Sequence, residues 1–236
     1  MEVKMLHLYY DLMNLYGEYG NVEILKKHLE DQGCTVLVDK KTLNEGKNLL
    51  EYDFIYIGCG TEKNQKVMLD DIFKVKDELV NAIEAEVPIL LTGNSYEILG
   101  KTIGENEALG IFPFITDFSN DRITTDVICT SEVFKNKIVG FINTLSEIKE
   151  NDLALFDIEY STKNIEHDGV IYKNLIGTHL IGPLLIRNPE ILDFFIKKII
   201  SRKDKDFTIK NVEYKDEQEG YKLVLRELEN RKKLQK

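Results

Sequence analysis

The sequence lacks several features that would place it in a large class of proteins. Its 236 residues contain no apolar run near the about 20 residues that a membrane-spanning helix needs. Residues Met1 to Lys4 lead straight into a predicted strand and show no signal-peptide pattern. The three cysteines have no pairing pattern, which is typical of a reducing compartment, so we expect a cytoplasmic protein.

Basic residues and metal-binding motifs are also scarce. There are 31 Lys and Arg against 41 Asp and Glu, and the resulting net charge of −10 argues against a general nucleic-acid binder. No Cys-x-x-Cys or His-x-x-x-His pair occurs, so we expect neither a structural zinc ion nor another cofactor. No repeat, low-complexity stretch or flexible linker divides the chain, which predicts a single domain over residues 1–236.

The first half alternates apolar strands with amphipathic helices. We predict strands at Met5–Tyr9, Thr35–Val38, Phe54–Ile57 and Ile89–Leu91, and helices over Val22–Gln32 and around Val75 to Ile83. Asn21 is the predicted N-cap of the first helix. This alternation predicts an α/β fold with a mostly parallel central sheet flanked by helices. Gly58-Cys59-Gly60 and Gly93 both follow strands, so they should meet at one edge of that sheet.

The second half changes character and predicts extra antiparallel strands. The predicted strands are Ile123–Cys129, Lys137–Ile142, Leu153–Tyr160 and Val170–Ile176. Asn188-Pro189 opens a helix, because proline suits the first helical position. A C-terminal helix is predicted over about 214–235. Its basic end, with Arg226, Arg231, Lys232 and Lys233, is interpreted as a solvated face, with a docking role as the weaker alternative.

Residues 87–100 have the pattern of a nucleophile elbow without a nucleophile. The apolar run Ile89–Leu91 enters a tight turn at Thr92-Gly93-Asn94 and continues as a short helix. An elbow of this kind presents its reactive side chain from the turn. Gly93 occupies that place and has no side chain, so the scaffold of a hydrolytic site is present without its reactive group.

Ordered motifs along nearly the whole chain carry a family resemblance. They are Leu12 to Asn21, Asp53 to Gly60 with Gln65, the elbow through Gly100, Val139 to Phe141, and Tyr172 to Pro189. On these motifs the chain resembles the CobB/CobQ-type (cobyric-acid-synthase-type) class I glutamine amidotransferases, and among them the GatD glutaminase subunits. The resemblance implies a class I glutamine-amidotransferase-like fold and a MurT-like Mur ligase as partner. It also implies a role in amidating the peptidoglycan stem of lipid II, with ATP used by the partner.

The positions that carry the family's chemistry differ here. The family elbow Cys-Gly-Gly-Tyr-Gln reads Gly93-Asn94-Ser95-Tyr96-Glu97, so the nucleophile position holds Gly93. In the family motif Gly-Thr-Tyr-Leu-His-Gly-Pro, the histidine position holds Ile181 and the tyrosine position holds His179. Arg122 falls where the family has an arginine that helps to hold glutamine. We therefore expect a degenerate pocket formed by Gly58, Cys59, Gly60, Asn94, Tyr96, Glu97, Arg122 and His179.

Other residues near this pocket offer weaker chemistry. Cys59 lies in a turn that is all glycine in the family and supplies oxyanion-hole backbone, and we interpret it as a packing residue. Ser95 is interpreted as a residue of the first helical turn, and His179 as a packing or surface histidine. For Arg122, a salt bridge with a neighbour such as Asp121 or Asp126 is an equal alternative to contact with glutamine.

These observations favour a pseudoenzyme, a subunit that binds a MurT-like Mur ligase without hydrolysing glutamine. It would act structurally, as a regulator, or as a port for free ammonia. Two alternatives stay open. One is an active amidotransferase subunit with relocated catalytic residues, drawn from Cys59, His179 or Glu97. The other is a protein that senses glutamine or a related amino acid in the emptied pocket.

Overall fold

The molecule is built on two β-sheets. The computed structural model describes residues 1–46 and 48–235. The strands, in chain order, are β1 (Glu2–Leu8), β2 (Thr35–Lys41), β3 (Phe54–Ile57), β4 (Ile89–Thr92), β5 (Thr102–Ile103), β6 (Asn106–Glu107), β7 (Ile115–Thr130), β8 (Ile138–Lys149), β9 (Phe156–Tyr160), β10 (His167–Asp168), β11 (Val170–Tyr172) and β12 (Leu175–Thr178). Within these residues the main sheet has six strands in the order β11-β12-β4-β3-β1-β2, and only β11 runs antiparallel to its neighbour.

Helices cover both faces of the main sheet. The helices, in chain order, are α1 (Gly20–Asp31), α2 (Glu62–Ile72), α3 (Lys76–Glu84), α4 (Leu184–Arg187), α5 (Pro189–Lys203) and α6 (Lys215–Leu234), of which α6 packs on the second sheet. Short 3₁₀ segments lie at Leu15–Gly17, Leu49–Glu51, Phe73–Val75 and Gly93–Leu99, and we call the last one the elbow helix. None of the helices in the described part of the chain combines the length and hydropathy that crossing a membrane requires.

Strand β3 explains why the central strands are apolar along their whole length. Phe54 and Tyr56 pack in one cluster with side chains of α1 and α5. Ile55 and Ile57 point the other way and pack with side chains of α2 and α3. Because each face of the sheet is covered by helices, both sets of alternating residues must be apolar.

The second sheet is dominated by the long antiparallel pair β7–β8, which runs in register from Ile115 opposite Lys149 to Cys129 opposite Ile138, with an irregularity between Phe118 and Ile123. Its described strands follow the order β10-β9-β7-β5-β6, with β8 pairing on β7. One residue pair, Phe141 with Ile181, bridges the second sheet to the segment after β12.

Helix α6 packs on the second sheet through few apolar residues. Leu228 is its buried residue and contacts a cluster that contains Ile128, Val139 and Tyr160. The basic residues near its end pair with this sheet, since Arg231 contacts Asp126 and Lys232 contacts Glu159. Arg226, Arg231 and Lys233 nevertheless stay exposed, so the basic end is largely the solvated face that we predicted, with two ion pairs to the second sheet.

Two local predictions were wrong. The predicted single strand Val170–Ile176 is a hairpin of β11 and β12, which turns at Lys173 with a φ of +53°. Asn21 does not cap α1, because the helix begins at Gly20 and the Asn21 side chain is buried against Tyr56. The prediction that residues 1–236 form one domain stays a prediction.

Candidate functional site

The elbow lies at the carboxyl end of β4, as its sequence pattern predicts. Gly93 has a φ of +62°, in the left-handed region that glycine adopts without strain. Ser95 sits in the first turn that follows, where its hydroxyl donates to the carbonyls of Ile57 at 3.0 Å and Thr92 at 2.9 Å. The serine therefore fastens the elbow helix to the ends of β3 and β4, and it is not presented as a nucleophile.

Cys59 fills the space into which a side chain at position 93 would point. A Cβ atom placed on Gly93 would lie 2.5 Å from both the Cβ and the Sγ of Cys59. The same atom would lie 3.1 Å from Cγ2 of Ile181. The structure thus brings together the two positions at which the family carries its nucleophile and its histidine, and the Cys59 side chain also lies against position 93.

The thiol of Cys59 is not poised for nucleophilic attack. Burial raises the pKa of this thiol to about 12; a hydrogen bond with the Asn94 backbone opposes the rise, and the carboxylates of Glu18, Glu97 and Glu62 add to it. Cys34 and Cys129 are also buried free thiols, and burial raises the pKa of each. A neutral thiol is a poor nucleophile, so the three cysteines behave as packing residues.

Glycine is required on both sides of Cys59. A Cβ on Gly58 would lie 2.4 Å from the carbonyl oxygen of Met13, and a Cβ on Gly60 would lie 2.4 Å from its sulfur. The backbone N–H of Gly60 donates to Oδ1 of Asn94 at 3.0 Å. The turn after β3 is therefore held between Met13 and the elbow, and one of its backbone donors is already bonded to a side chain.

A buried ionic array lies beside the elbow. The ring of His179 contacts Oδ1 of Asp168 at 2.9 Å through Nδ1 and Oε1 of Glu97 at 3.0 Å through Nε2. Burial alone would lower the pKa of His179, but the two carboxylates outweigh it and raise that pKa to about 10. His179 is thus a buried imidazolium ion between two carboxylates, whereas we had interpreted it as a packing or surface residue.

Further buried polar residues complete this array. Gln65 donates to the carbonyl oxygen of Asn94 at 2.6 Å and to Oε2 of Glu97 at 2.7 Å. Ser146 donates to Glu97 and lies 2.5 Å from Thr144. Apart from Gln65, which belonged to a family motif, these partners gave no signal in the sequence. Asp168 and Ser146 come from the second sheet, and local spacing does not show that they approach the elbow.

A third buried carboxylate, that of Glu18, lies near the elbow. Glu18 accepts hydrogen bonds from the backbone N–H of Gly182 at 2.8 Å and from the Tyr56 hydroxyl at 2.8 Å, and also from the Thr92 hydroxyl. Burial raises the pKa of Glu18. Glu18 thus links Thr92, which precedes Gly93, to Gly182, which follows Ile181. It therefore fixes the relative position of Gly93 and Ile181.

An open cavity of about 200 Å³ lies above the elbow. Of the predicted pocket residues, it is lined by Cys59, Gly60, Asn94, Glu97 and Arg122. Tyr96 is buried and stacks edge-on against the ring of His179, which itself lines a neighbouring cavity of about 390 Å³ with Asp168. The predicted pocket residues are therefore of two kinds: five line the smaller cavity, and Tyr96 and His179 are buried beside it.

Arg122 stands at the mouth of the smaller cavity. Its guanidinium contacts Glu62 at 2.5 Å and Oδ1 of Asn143 at 3.0 Å, and Asn143 donates to the hydroxyl of Tyr16 at 2.8 Å. Arg122 does form an ordinary salt bridge, but its partner is Glu62 on α2 and not one of the suggested neighbours, Asp121 and Asp126. Among the residues that the structure describes, no group of three or more His, Cys, Asp or Glu is placed to hold a metal ion.

Comparisons with known proteins agree with this architecture. The model of the CobB/CobQ-like glutamine amidotransferase domain matches residues 4–189. The chain is 32% identical to the lipid II isoglutaminyl synthase (glutamine-hydrolyzing) subunit GatD of Staphylococcus aureus (strain N315), with 98% of each chain covered. The corresponding subunit of Streptococcus pneumoniae (strain ATCC BAA-255 / R6) is 28% identical, over 86% of this chain and 82% of the relative. The chain belongs to the CobB/CobQ-like glutamine amidotransferases and, within them, to the GatD family.

Solved structures show the same fold at low sequence identity. A glutamine amidotransferase from Thermotoga maritima superposes with a TM-score of 0.54 at 13% identity, over 96% of this chain and 92% of the other. The glutaminase domain of Trypanosoma brucei CTPS, with bound acivicin, gives a TM-score of 0.57 at 10% identity, over 88% and 96%. These likenesses confirm the predicted class I glutamine-amidotransferase-like fold.

Proposed function

We propose that this chain is a GatD-type subunit of a lipid II isoglutaminyl synthase that does not hydrolyse glutamine. It acts by binding a MurT-like Mur ligase in the cytoplasm, as one domain over residues 1–236. One observation carries the proposal: Gly93 and Ile181 occupy adjoining positions where the family places its nucleophile and its histidine. The two relatives are named glutamine-hydrolyzing subunits, so the fold and the family support the assembly while these two residues argue against the chemistry.

The remaining side chains do not supply a substitute mechanism. Hydrolysis by this route needs a thiolate, a base that generates it and donors for the oxyanion. The buried thiol of Cys59 has a pKa of about 12, so it stays protonated at neutral pH. Both ring nitrogens of His179 are engaged by carboxylates, which leaves neither available to accept a proton. The alternative of an active subunit with relocated catalytic residues therefore has little support.

The proposal is tested by purifying the chain after co-expression with the Mur-ligase-like protein of the same cell. We expect the two proteins to co-elute in size-exclusion chromatography and to release no glutamate from glutamine above the buffer control. The S. aureus relative, prepared in the same way, is the positive control. Chain-dependent glutamate release would overturn the loss of hydrolysis, and failure to form any complex would overturn the partnership.

A second candidate function is the sensing of an amino acid. The cavity of about 200 Å³ persists above the elbow, and Arg122 at its mouth carries a guanidinium suited to a carboxylate. A ligand that binds only the folded chain raises its melting temperature in a saturable way. We would measure melting at millimolar glutamine in the wild type and in Arg122→Ala. No shift in the wild type, or the same shift in both proteins, would remove this candidate.

A further inference from the structure

The elbow has gained side chains as well as lost them. The resemblance places glycine at both position 59 and position 94. Here these positions hold Cys59 and Asn94, and both side chains point into the site. We propose that Cys59 and Asn94 close the elbow, because they occupy the two places that a hydrolytic elbow must keep empty. This inference rests on the proposed function and extends it: the site is blocked by added atoms and is not merely short of two reactive groups.

Cys59 excludes any side chain from position 93. Cβ atoms in real proteins stay at least 3.0 Å from such neighbours, whereas a Cβ on Gly93 would meet Cys59 at 2.5 Å. The turn that carries Cys59 packs tightly on Met13, since a Cβ atom added to Gly58 or to Gly60 would lie 2.4 Å from the carbonyl oxygen or the sulfur of that residue. A nucleophile restored at position 93 would therefore collide with a cysteine that is fixed in place.

Asn94 occupies the donor that an oxyanion would use. Elbows of this type stabilise the oxyanion with the backbone N–H after the nucleophile and a second N–H from a neighbouring strand-to-helix loop. In this chain the loop that meets the elbow is the turn after β3, and its Gly60 N–H donates to Oδ1 of Asn94 at 3.0 Å. The thiol of Cys59 lies 3.6 Å from the same oxygen, so the two added side chains also contact each other.

The backbone of Asn94 is itself held in place. Gln65 donates to its carbonyl oxygen at 2.6 Å, and Gln65 is tied to Glu97 in turn. The side-chain oxygen of Asn94 therefore stays over the Gly60 donor without any need for a bound ligand. An incoming carbonyl group would have to displace this internal hydrogen bond before it could be polarised.

The proposal predicts that restoring the family's two reactive residues is not enough. We would compare Gly93→Cys/Ile181→His with a second variant that adds Cys59→Gly and Asn94→Gly, using Cys59→Gly/Asn94→Gly as the matched control. Glutamate release from glutamine is measured for each protein in its complex with the Mur-ligase-like partner. We expect the variant with four substitutions to release glutamate faster than the variant with two, by a factor on the order of 100. That factor is the effect of freeing one oxyanion donor.

A separate measurement tests whether Cys59 leaves room for a side chain at position 93, and it does not depend on catalysis. Gly93→Ala is introduced into the wild type and into Cys59→Gly, and the melting temperatures of all four proteins are compared. Alanine carries the same strain from the positive φ in both backgrounds, so the difference between the two shifts reports the collision with Cys59. We expect Gly93→Ala to lower the melting temperature by more in the wild type than in Cys59→Gly.

Each outcome decides the proposal. Equal shifts in the two backgrounds, or a variant with two substitutions that hydrolyses glutamine as fast as the variant with four, would overturn it. A variant with four substitutions and no hydrolysis would do the same. Glutamate release by the wild type would instead refute the proposed loss of function, and the alanine comparison would still report whether Cys59 blocks position 93.

Discussion

At the scale of single residues, His179 and Glu97 are a matched pair of replacements. The resemblance places tyrosine and glutamine at these positions, which is a neutral combination. Here the combination is ionic, and the imidazolium of His179 lies between Glu97 and Asp168 in a buried environment. Removing one member of a buried ion pair leaves an uncompensated charge, which costs far more than the pair contributes when it is intact.

The first prediction is that the two replacements are coupled. His179→Tyr alone leaves Glu97 and Asp168 buried without their cation, so we expect it to lower the free energy of unfolding by about 3–5 kcal/mol. The double variant Glu97→Gln/His179→Tyr should lose less than the sum of the two single variants, because it removes one of the stranded charges. Urea denaturation of the four proteins measures the coupling, and additive effects would contradict it.

The second prediction concerns pH. The pKa of His179 rises from 6.5 to about 10 on folding, so the folded state binds the proton more tightly. Its contribution is fully present below pH 6.5, falls as the pH rises towards 10, and is lost above that. The expected slope is at most about 1.4 kcal/mol per pH unit. Urea denaturation between pH 6 and about 10 should show a steeper loss in the wild type than in Glu97→Gln/His179→Tyr; equal slopes would count against the array.

At the scale of secondary-structure elements, the sequence predicted the strands whose residue pattern follows directly from their own burial. Strand β3 was predicted with its observed bounds, Phe54–Ile57, because a strand buried on both faces is apolar throughout. Strand β7 was predicted too short, at Ile123–Cys129, because its outer part is largely polar and exposed on the long β7–β8 arm. The hairpin turn at Lys173 was missed, since its backbone conformation is not a preference of lysine.

Part of the candidate site could likewise be predicted from local sequence, and part of it could not. The elbow was predictable because strand, turn and helix follow one another in the chain. The partners of His179 were not, because Asp168 and Glu97 reach it from different elements. Such contacts depend on how the two sheets pack together, and residue spacing in the sequence does not show which side chains the packing brings into contact. The resemblance indicated which positions had changed but not that Cys59 fills the space beside Gly93.

The third prediction tests how α6 is attached. Leu228 is the residue that this helix buries, so Leu228→Ala should lower the free energy of unfolding by about 2 kcal/mol, near the lower end for buried leucines because the helix can settle into the gap. Leu223 on the same helix is 58% exposed, and Leu223→Ala should change stability by less than about 0.5 kcal/mol. Urea denaturation of both variants is the measurement. Similar losses in the two variants would show that α6 packs differently.

At the scale of the whole molecule, the two sheets meet around the cavity. The β7–β8 arm contributes Arg122 and Asn143 to its mouth, while Glu62 and Tyr16 come from the side of the main sheet. The ionic array lies further in and joins the same two sheets. The part of the fold that carries the elbow therefore also holds the two sheets together.

The fourth prediction follows for the assembled complex. Under the proposed function, the chain binds a Mur-ligase-like partner and supplies it with no ammonia from glutamine. The complex should then amidate its substrate when given an ammonium salt and fail to do so with glutamine. We would measure amidated lipid II by mass spectrometry under both conditions at equal nitrogen concentration. The complex of the S. aureus relative should accept glutamine. Equal product from both nitrogen sources in this protein would contradict the prediction.

The contact between position 93 and Cys59 also constrains the order in which mutations can occur. A codon change that returned a side chain to Gly93 would be penalised while Cys59 remains, because the two would overlap. Under the proposed function, a change of Cys59 to a smaller residue must therefore come before any side chain at position 93, and it brings no catalytic benefit by itself. A single substitution at position 93 is then not enough to give a reactive elbow.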